Sequence, residues 1–182
     1  HWCGALTLPR ELSRDGDRLR MRPARELVAL RQSGQVLQIG QVKSASQLLE
    51  ARGALLELEV ELDIARSSAE HFGLALRCSD DQQEQTLLYY DAMARRLVLD
   101  RQHSGAGVSG VRSVPVAADQ THIALRIFLD RSSIEVFVDD GAWSLSSRIY
   151  PHANSLALRA YAVNGTGHFG EALVWGLADL QL

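Results

Sequence analysis

The residues best equipped for chemistry are the carboxylates of the run Asp130 to Gly141, DRSSIEVFVDDG. A pair of carboxyl groups is the minimal apparatus for cleaving a glycosidic bond. Strand geometry opposes that reading. Glu135 and Asp139 fall on one face of an extended strand, opposite Ile134, Val136 and Val138. Four residues at about 3.3 Å each set their Cα atoms about 13 Å apart, whereas a working pair needs its carboxyl groups roughly 5 to 9.5 Å apart. Asp130 and Glu135, five residues apart, point to opposite faces. The sequence nominates no carboxylate on a neighbouring strand. The cluster is therefore expected to be solvated or held in structural hydrogen bonds.

Other candidates fare no better. Six histidines, His1, His71, His103, His122, His152 and His168, lack an acidic or cysteine partner at a metal-ligand spacing. No serine occupies a nucleophile elbow, and neither a metal nor another cofactor is expected. Residues 165 to 170 read GTGHFG, the glycine pattern of dinucleotide-binding turns, but only twelve residues follow Gly170, too few for the acidic ribose partner. A glycine-rich turn between two terminal strands is the expectation. Asn164-Gly165-Thr166 is a formal glycosylation acceptor and, more simply, a tight turn. Among the aromatic residues, Trp143, Tyr150 and Tyr161 are candidates for a sugar-stacking platform. Against this, Trp143 with Leu145, and Trp175 with Leu173 and Leu177, follow the strand period that places side chains in a core or sheet interface. Both readings stay open at this level.

These residues must be positioned by one large domain or two small ones, since the chain has 182 residues. Nineteen basic residues against 22 acidic give a net charge of −3, so neither a disordered tail nor a nucleic-acid binder steered by bulk charge is expected. Lys43 is the only lysine, read as a bias towards arginine rather than as an anion site. Charged residues interrupt every membrane-length window, which excludes a transmembrane helix, and no secretory signal is visible. Cys3 and Cys78 are too few for a disulfide scaffold; one bridge between them stays open.

The periodicity specifies strands. From Ala54 to Ile64, Leu56, Leu58, Val60, Leu62 and Ile64 alternate with Glu57, Glu59, Glu61 and Asp63, a half-buried strand with one wet face. The same period recurs in Phe72 to Cys78, Ile123 to Leu129 and Ile134 to Val138. Further strands are expected at Leu6 to Leu12, Leu19 to Arg22, Val36 to Val42, Thr86 to Asp91, Leu97 to Asp100, Trp143 to Tyr150, Ser155 to Val163 and Leu173 to Leu182. Turn signals such as Asp15-Gly16, Asp140-Gly141 and Asn164-Gly165 separate them. About a dozen strands exceed one small open sheet. The fold class is all-β: a lectin-like sandwich of two antiparallel sheets, with one short helix at Pro23 to Arg31.

Two segments resemble the carboxy-terminal region of glycoside hydrolase family 32, which contains invertases, levanases, inulinases and sucrose-6-phosphate hydrolases. WCGALTLPREL, Trp2 to Leu12, is similar to that family's passage into its sandwich. DRSSIEVFVDDG followed by SRIYP, Ser147 to Pro151, resembles the sandwich signature. The resemblance implies a linker strand over residues 1–12, leading from a catalytic β-propeller, and a sandwich over residues 13–182. Five propeller blades at about 40 residues each need about 200 residues, more than this chain has. The family's catalytic motifs, tryptophan-x-asparagine-aspartate-proline-asparagine, arginine-aspartate-proline and glutamate-cysteine, do not occur here, so no catalytic residue carries over.

What the resemblance implies is a non-catalytic sandwich whose parent hydrolyses β-fructosyl bonds in sucrose or fructans with retention. Its implied partners are the propeller, a second copy in a homodimer, and a fructan or sucrose. A lectin-like carbohydrate-binding module is the alternative. Trp2, Leu6, Leu8 and Arg10 are the expected propeller-facing residues. The compartment stays open in the sequence; the resemblance and the lack of cysteine pairs favour a bacterial cytoplasmic setting.

Overall fold

A computed structural model describes residues 5–107 and 109–179; His1, Trp2 and Cys3 lie outside the described residues. Fourteen strands follow one another: β1 (Arg10–Asp15), β2 (Arg18–Pro23), β3 (Arg31–Lys43), β4 (Ser46–Arg52), β5 (Leu56–Asp63), β6 (His71–Cys78), β7 (Gln85–Asp91), β8 (Arg96–His103), β9 (Val111–Pro115), β10 (His122–Asp130), β11 (Ser133–Val138), β12 (Trp143–Arg148), β13 (Ala157–Val163) and β14 (Thr166–Leu177). They form a two-stranded hairpin, β1-β2, and two six-stranded sheets. The first sheet has the order β12-β11-β10-β5-β14-β3, the second β4-β13-β6-β7-β8-β9. All pairings between named strands are antiparallel.

The period-two runs supply the core as the sequence indicates. Leu58, Leu62, Ile123 and Ile127 of the first sheet join Phe72, Leu74, Leu76 and Leu88 of the second in one buried cluster. Burying this apolar area between two sheets is the main drive for the fold. Polar contacts fasten the sheets at one end. Arg77, on β6 with φ 53°, is 2% exposed. It donates to the carbonyls of Ser155 at 2.8 Å, Asp130 at 3.3 Å and Arg131 at 3.2 Å, tying the second sheet to the β10–β11 turn of the first. Burial lowers its pKa without depriving the guanidinium of acceptors. Nearby, Gly105 bridges to Tyr150. A Cβ at Gly105 would lie 1.9 Å from the Tyr150 carbonyl oxygen, so the approach requires glycine.

Several local expectations are corrected. GTGHFG is not a turn: the bend is Asn164-Gly165, both at positive φ, and Thr166 to Gly170 lie inside β14. There Gly167 packs against Phe72, whose Cβ would be 2.6 Å from an added Cβ. The helix is a 3₁₀ turn, Arg25–Leu30, followed at once by extended Arg31. Strands β4 and β9 lack a clear alternating run and escaped the periodicity. Asp130 and Glu135 share a face, because the turn at Arg131-Ser132 places them on paired strands in register Asp130↔Ser133 and Phe128↔Glu135.

Trp175 is not in the core either. Ala172 and Val174 point inward, so Trp175 emerges on the outer face, where the Arg31 guanidinium stacks 3.6 Å from its ring centroid. The face of β5 expected to be wet is covered at one end, while Glu61 stays exposed. Glu57 is 0% exposed, beneath the Arg31 and Arg126 side chains.

Candidate functional site

The outer face of the first sheet carries a second, smaller apolar cluster. Phe128 and Phe137 pack there with Ala24 and Leu27, and with the partly buried Leu8, Leu30 and Leu177. Their strands supply the reason. Ile127-Phe128-Leu129 and Val136-Phe137-Val138 are apolar without interruption, so both faces of β10 and β11 seek cover. The core takes Ile127, Leu129, Val136 and Val138; the chain entering from residue 5, the β1–β2 hairpin and the 3₁₀ turn cover the phenylalanines.

Polar groups within this contact fix the entering chain. Glu135, on β11, is 5% exposed. Its Oε1 accepts the Leu8 backbone N–H at 2.6 Å. Its Oε2 accepts Arg10 Nη2 at 2.6 Å and the Ser146 hydroxyl at 3.1 Å. Arg10 also donates to Ser144 and Ser146 on β12, at 3.0 and 2.6 Å, and lies 5.2 Å from the Phe137 ring centroid. The hairpin docks further along the same signature. Asp140 pairs with Arg22 at 2.7 and 2.5 Å, a contact that holds the Asp140 carboxyl below its usual range. The Asp139 carbonyl accepts Arg20 at 2.9 Å. Gly141, at φ 80°, accepts Met21 N–H at 2.9 Å; a Cβ there would lie 2.4 Å from the Met21 carbonyl oxygen.

Glu57 forms a second buried node. Arg31 grips it through Nε at 2.8 Å and Nη2 at 2.6 Å, and Arg126 Nε donates at 2.6 Å. Arg31 also reaches Glu59 at 2.7 Å. These carboxylates raise the Arg31 pKa, the Glu57 hydrogen bond contributing most. Glu57 and Glu135 are both in register with Phe128, hence two strand spacings, about 10 Å, apart. That separation resembles a glycosidase pair, but the chemistry differs. Both oxygens of each carboxylate are engaged by cations or N–H groups, Glu135 beneath the entering chain and Glu57 beneath the Arg31 and Arg126 side chains. Neither oxygen pair is free to attack a sugar or hold a proton for a leaving group. The arrangement works as an anchor.

The sequence signals this anchor only in part. Glu135 and Arg10 are both candidates in the sequence, but their separation of 125 residues hides the partnership. The uninterrupted runs around Phe128 and Phe137 carried the legible hint of a second covered face. Of the propeller-facing candidates, Leu6 is 96% exposed, Leu8 and Arg10 are tied to Glu135, and Trp2 lies outside the described residues. The stacking candidates are spread across both sheets. Trp143 opens edge strand β12 and is 42% exposed, not core. Tyr150 follows β12 beneath Arg148, whose guanidinium is 5.1 Å from its ring. Tyr161 sits on β13 of the second sheet, edge-on to Tyr89 at 6.4 Å. Among the described residues no group of three or more His, Cys, Asp or Glu is arranged to hold a metal ion, and Cys78 is buried, its thiol pushed up to about 11 by desolvation.

The family model described as Glycosyl hydrolases family 32 C terminal matches residues 26–176. The chain belongs to this family. A sucrose-6-phosphate hydrolase of Zymomonas mobilis is 42% identical over 185 aligned residues, covering 100% of this chain and 36% of the relative. A raffinose invertase of Escherichia coli is 42% identical over 97% of this chain and 35% of its own length. The structure of an exo-inulinase from Aspergillus awamori superposes with a TM-score of 0.82 at 26% identity, over 95% of this chain and 36% of that one. The family 32 chain thus spans about a third of the relatives it matches. The signature Ser133 to Gly141 of this family 32 sandwich is the surface on which the chain's own entering segment is seated.

Proposed function

We propose that this chain is the non-catalytic sandwich of a β-fructofuranosidase, joined through residues 1–12 to a catalytic β-propeller, with residues 13–182 as the sandwich. In the whole enzyme the reaction is retaining hydrolysis of β-fructosyl bonds in sucrose or fructans. The observation that carries this reading is the commitment of Glu57 and Glu135 to arginine anchors, which leaves them a structural task. The sandwich contributes by holding the chain that leaves the propeller: Leu8 and Arg10 lock to Glu135, and Leu6 stays exposed as contact surface for the neighbouring domain. Names among the relatives, sucrose-6-phosphate hydrolase, raffinose invertase and exo-inulinase, support a fructosyl-bearing substrate class.

The test is direct. The purified chain is expected to release no fructose from sucrose or inulin. A rate that follows the 20.0 kDa chain through successive purification steps overturns the reading.

A lectin-like module is the second reading, and the exposure of Trp143 is the observation in its favour. Titration with inulin, levan and sucrose, followed by tryptophan fluorescence, separates the two. A saturable change lost in Trp143→Ala supports the lectin-like reading, and a flat titration removes it.

A further inference from the structure

A guanidinium taken out of water needs acceptors for its donors and a counter-charge for its cation. Among the described residues, Arg10, Arg95, Arg101 and Arg126 each have a buried nitrogen without a hydrogen-bond partner. Arg10 and Arg126 are paired to carboxylates, and Arg95 donates to the Ala117 and Ala118 carbonyls. Arg101 is the exception. It is 6% exposed, yet only its Nη1 has an acceptor among the described residues, the Arg148 carbonyl at 2.9 Å. No carboxylate among those residues pairs with it.

Arg101 extends from β8 on the face that sends Leu97 and Leu99 into the core, so its side chain lies between the sheets near the edge strands β9 and β12. Asp100, its neighbour in the chain, stands on the opposite face of β8 and accepts the Gln102 N–H. On β9, Arg112 is in register with Leu99, and the Gly110 carbonyl accepts the Arg101 N–H at 3.1 Å. Gly110 is therefore opposite Arg101, and Arg112 is its diagonal neighbour on the same face, about 7 to 8 Å away. Arg112 is exposed and has no ion pair among the described residues. Two cations this close repel one another unless an anion lies between them. The space beside Arg101 is open. Where a Cβ on Gly110 would stand, Arg101 Nη2 at 3.7 Å is the one heavy atom within 4 Å among the described residues, chain neighbours aside. The Gly110 φ of 130° disfavours any side chain at that position, so the backbone keeps the notch unfilled.

We propose that Arg101, Arg112 and the notch at Gly110 form a binding site for a phosphate group. Arg101 Nη2 faces the notch, Arg112 stands on its exposed side, and the anion supplies the charge that neither guanidinium meets within the described chain. Guanidinium N–H groups suit phosphate oxygens in both charge and geometry. Free phosphate and a phosphate ester present the same group to such a site, and the test separates them.

The site rests on the sandwich alone, so its failure leaves the proposed module function intact. In amide NMR titrations at constant ionic strength, inorganic phosphate over about 0.1 to 20 mM should shift the Arg101, Gly110 and Arg112 amides along one saturating curve. Arg101→Gln should abolish saturation. Arg112→Gln should weaken binding about tenfold, the loss of one charge-assisted contact. Arg18→Gln, the same charge change at an exposed position of the hairpin, should leave binding unchanged. Glucose 6-phosphate is titrated in parallel, with glucose as its control. Binding of the ester at least as tight as that of phosphate assigns the site to a phosphate ester; weaker binding assigns it to the free ion. Shifts at Gly110 that do not saturate, equal shifts with glucose, or an equal weakening in Arg18→Gln overturn the proposal. Arg112 is exposed, so its substitution decides the outcome if circular dichroism shows Arg101→Gln unfolded.

Discussion

Glu135 has the character of a catalytic residue by composition and none by environment. It is an acidic side chain in the most recognisable stretch of the chain, yet each of its oxygens is engaged and its face is closed. An anchor of this kind has an energetic signature different from that of an acid/base residue. Removing one member of a buried ion pair leaves the other charge uncompensated, a loss of about 3 to 5 kcal/mol. Arg10 retains 17% side-chain exposure, which places Glu135→Gln near the lower end, about 3 kcal/mol. Urea unfolding should show that loss. Arg10→Met with Glu135→Met should be less destabilising than the sum of the single substitutions, because no unpaired charge remains. Additive losses would show that the two residues act independently.

The next scale is the hairpin β1-β2, which has no core of its own and is held by what it lies on. Its contact with Gly141 is the tightest constraint: positive φ and a close Met21 carbonyl together exclude a side chain. Gly141→Ala should cost about 2 kcal/mol, and hydrogen exchange should quicken in the amides of Arg18 to Pro23 well before the sheets. Unchanged protection in the hairpin would remove Gly141 from its docking. This element also shows what the sequence discloses. Strands with strict alternation, such as Leu56 to Leu62, are legible because one face meets the core. The hairpin strands were legible as strands, but their seat was not. The contacts Leu8–Glu135, Arg22–Asp140 and Met21–Gly141 join residues more than a hundred positions apart, and local pattern holds no information on such pairings. Phe128 and Phe137 were the exception: an apolar residue on the supposedly wet face of a strand announces a cover without naming it.

At the scale of the whole molecule, the two sheets share one core and should unfold together. Strand β14 is central to this unity, because it pairs with β3 on one side and β5 on the other. A chain ending at Gly165 would lose that middle strand and expose Val42, Leu58 and Leu62 along the gap; it is expected to lack a cooperative urea transition and to bind a hydrophobic dye. A sharp transition in that truncated chain would show that the remaining strands close without β14. The position of β14 also sets a timetable for biosynthesis. The ribosome releases β3 and β5 more than a hundred residues before the strand that belongs between them, so the first sheet cannot close until β14 has been translated. For that interval the nascent polypeptide carries two unfinished edges, and its need for chaperone protection should fall abruptly when β14 clears the exit tunnel.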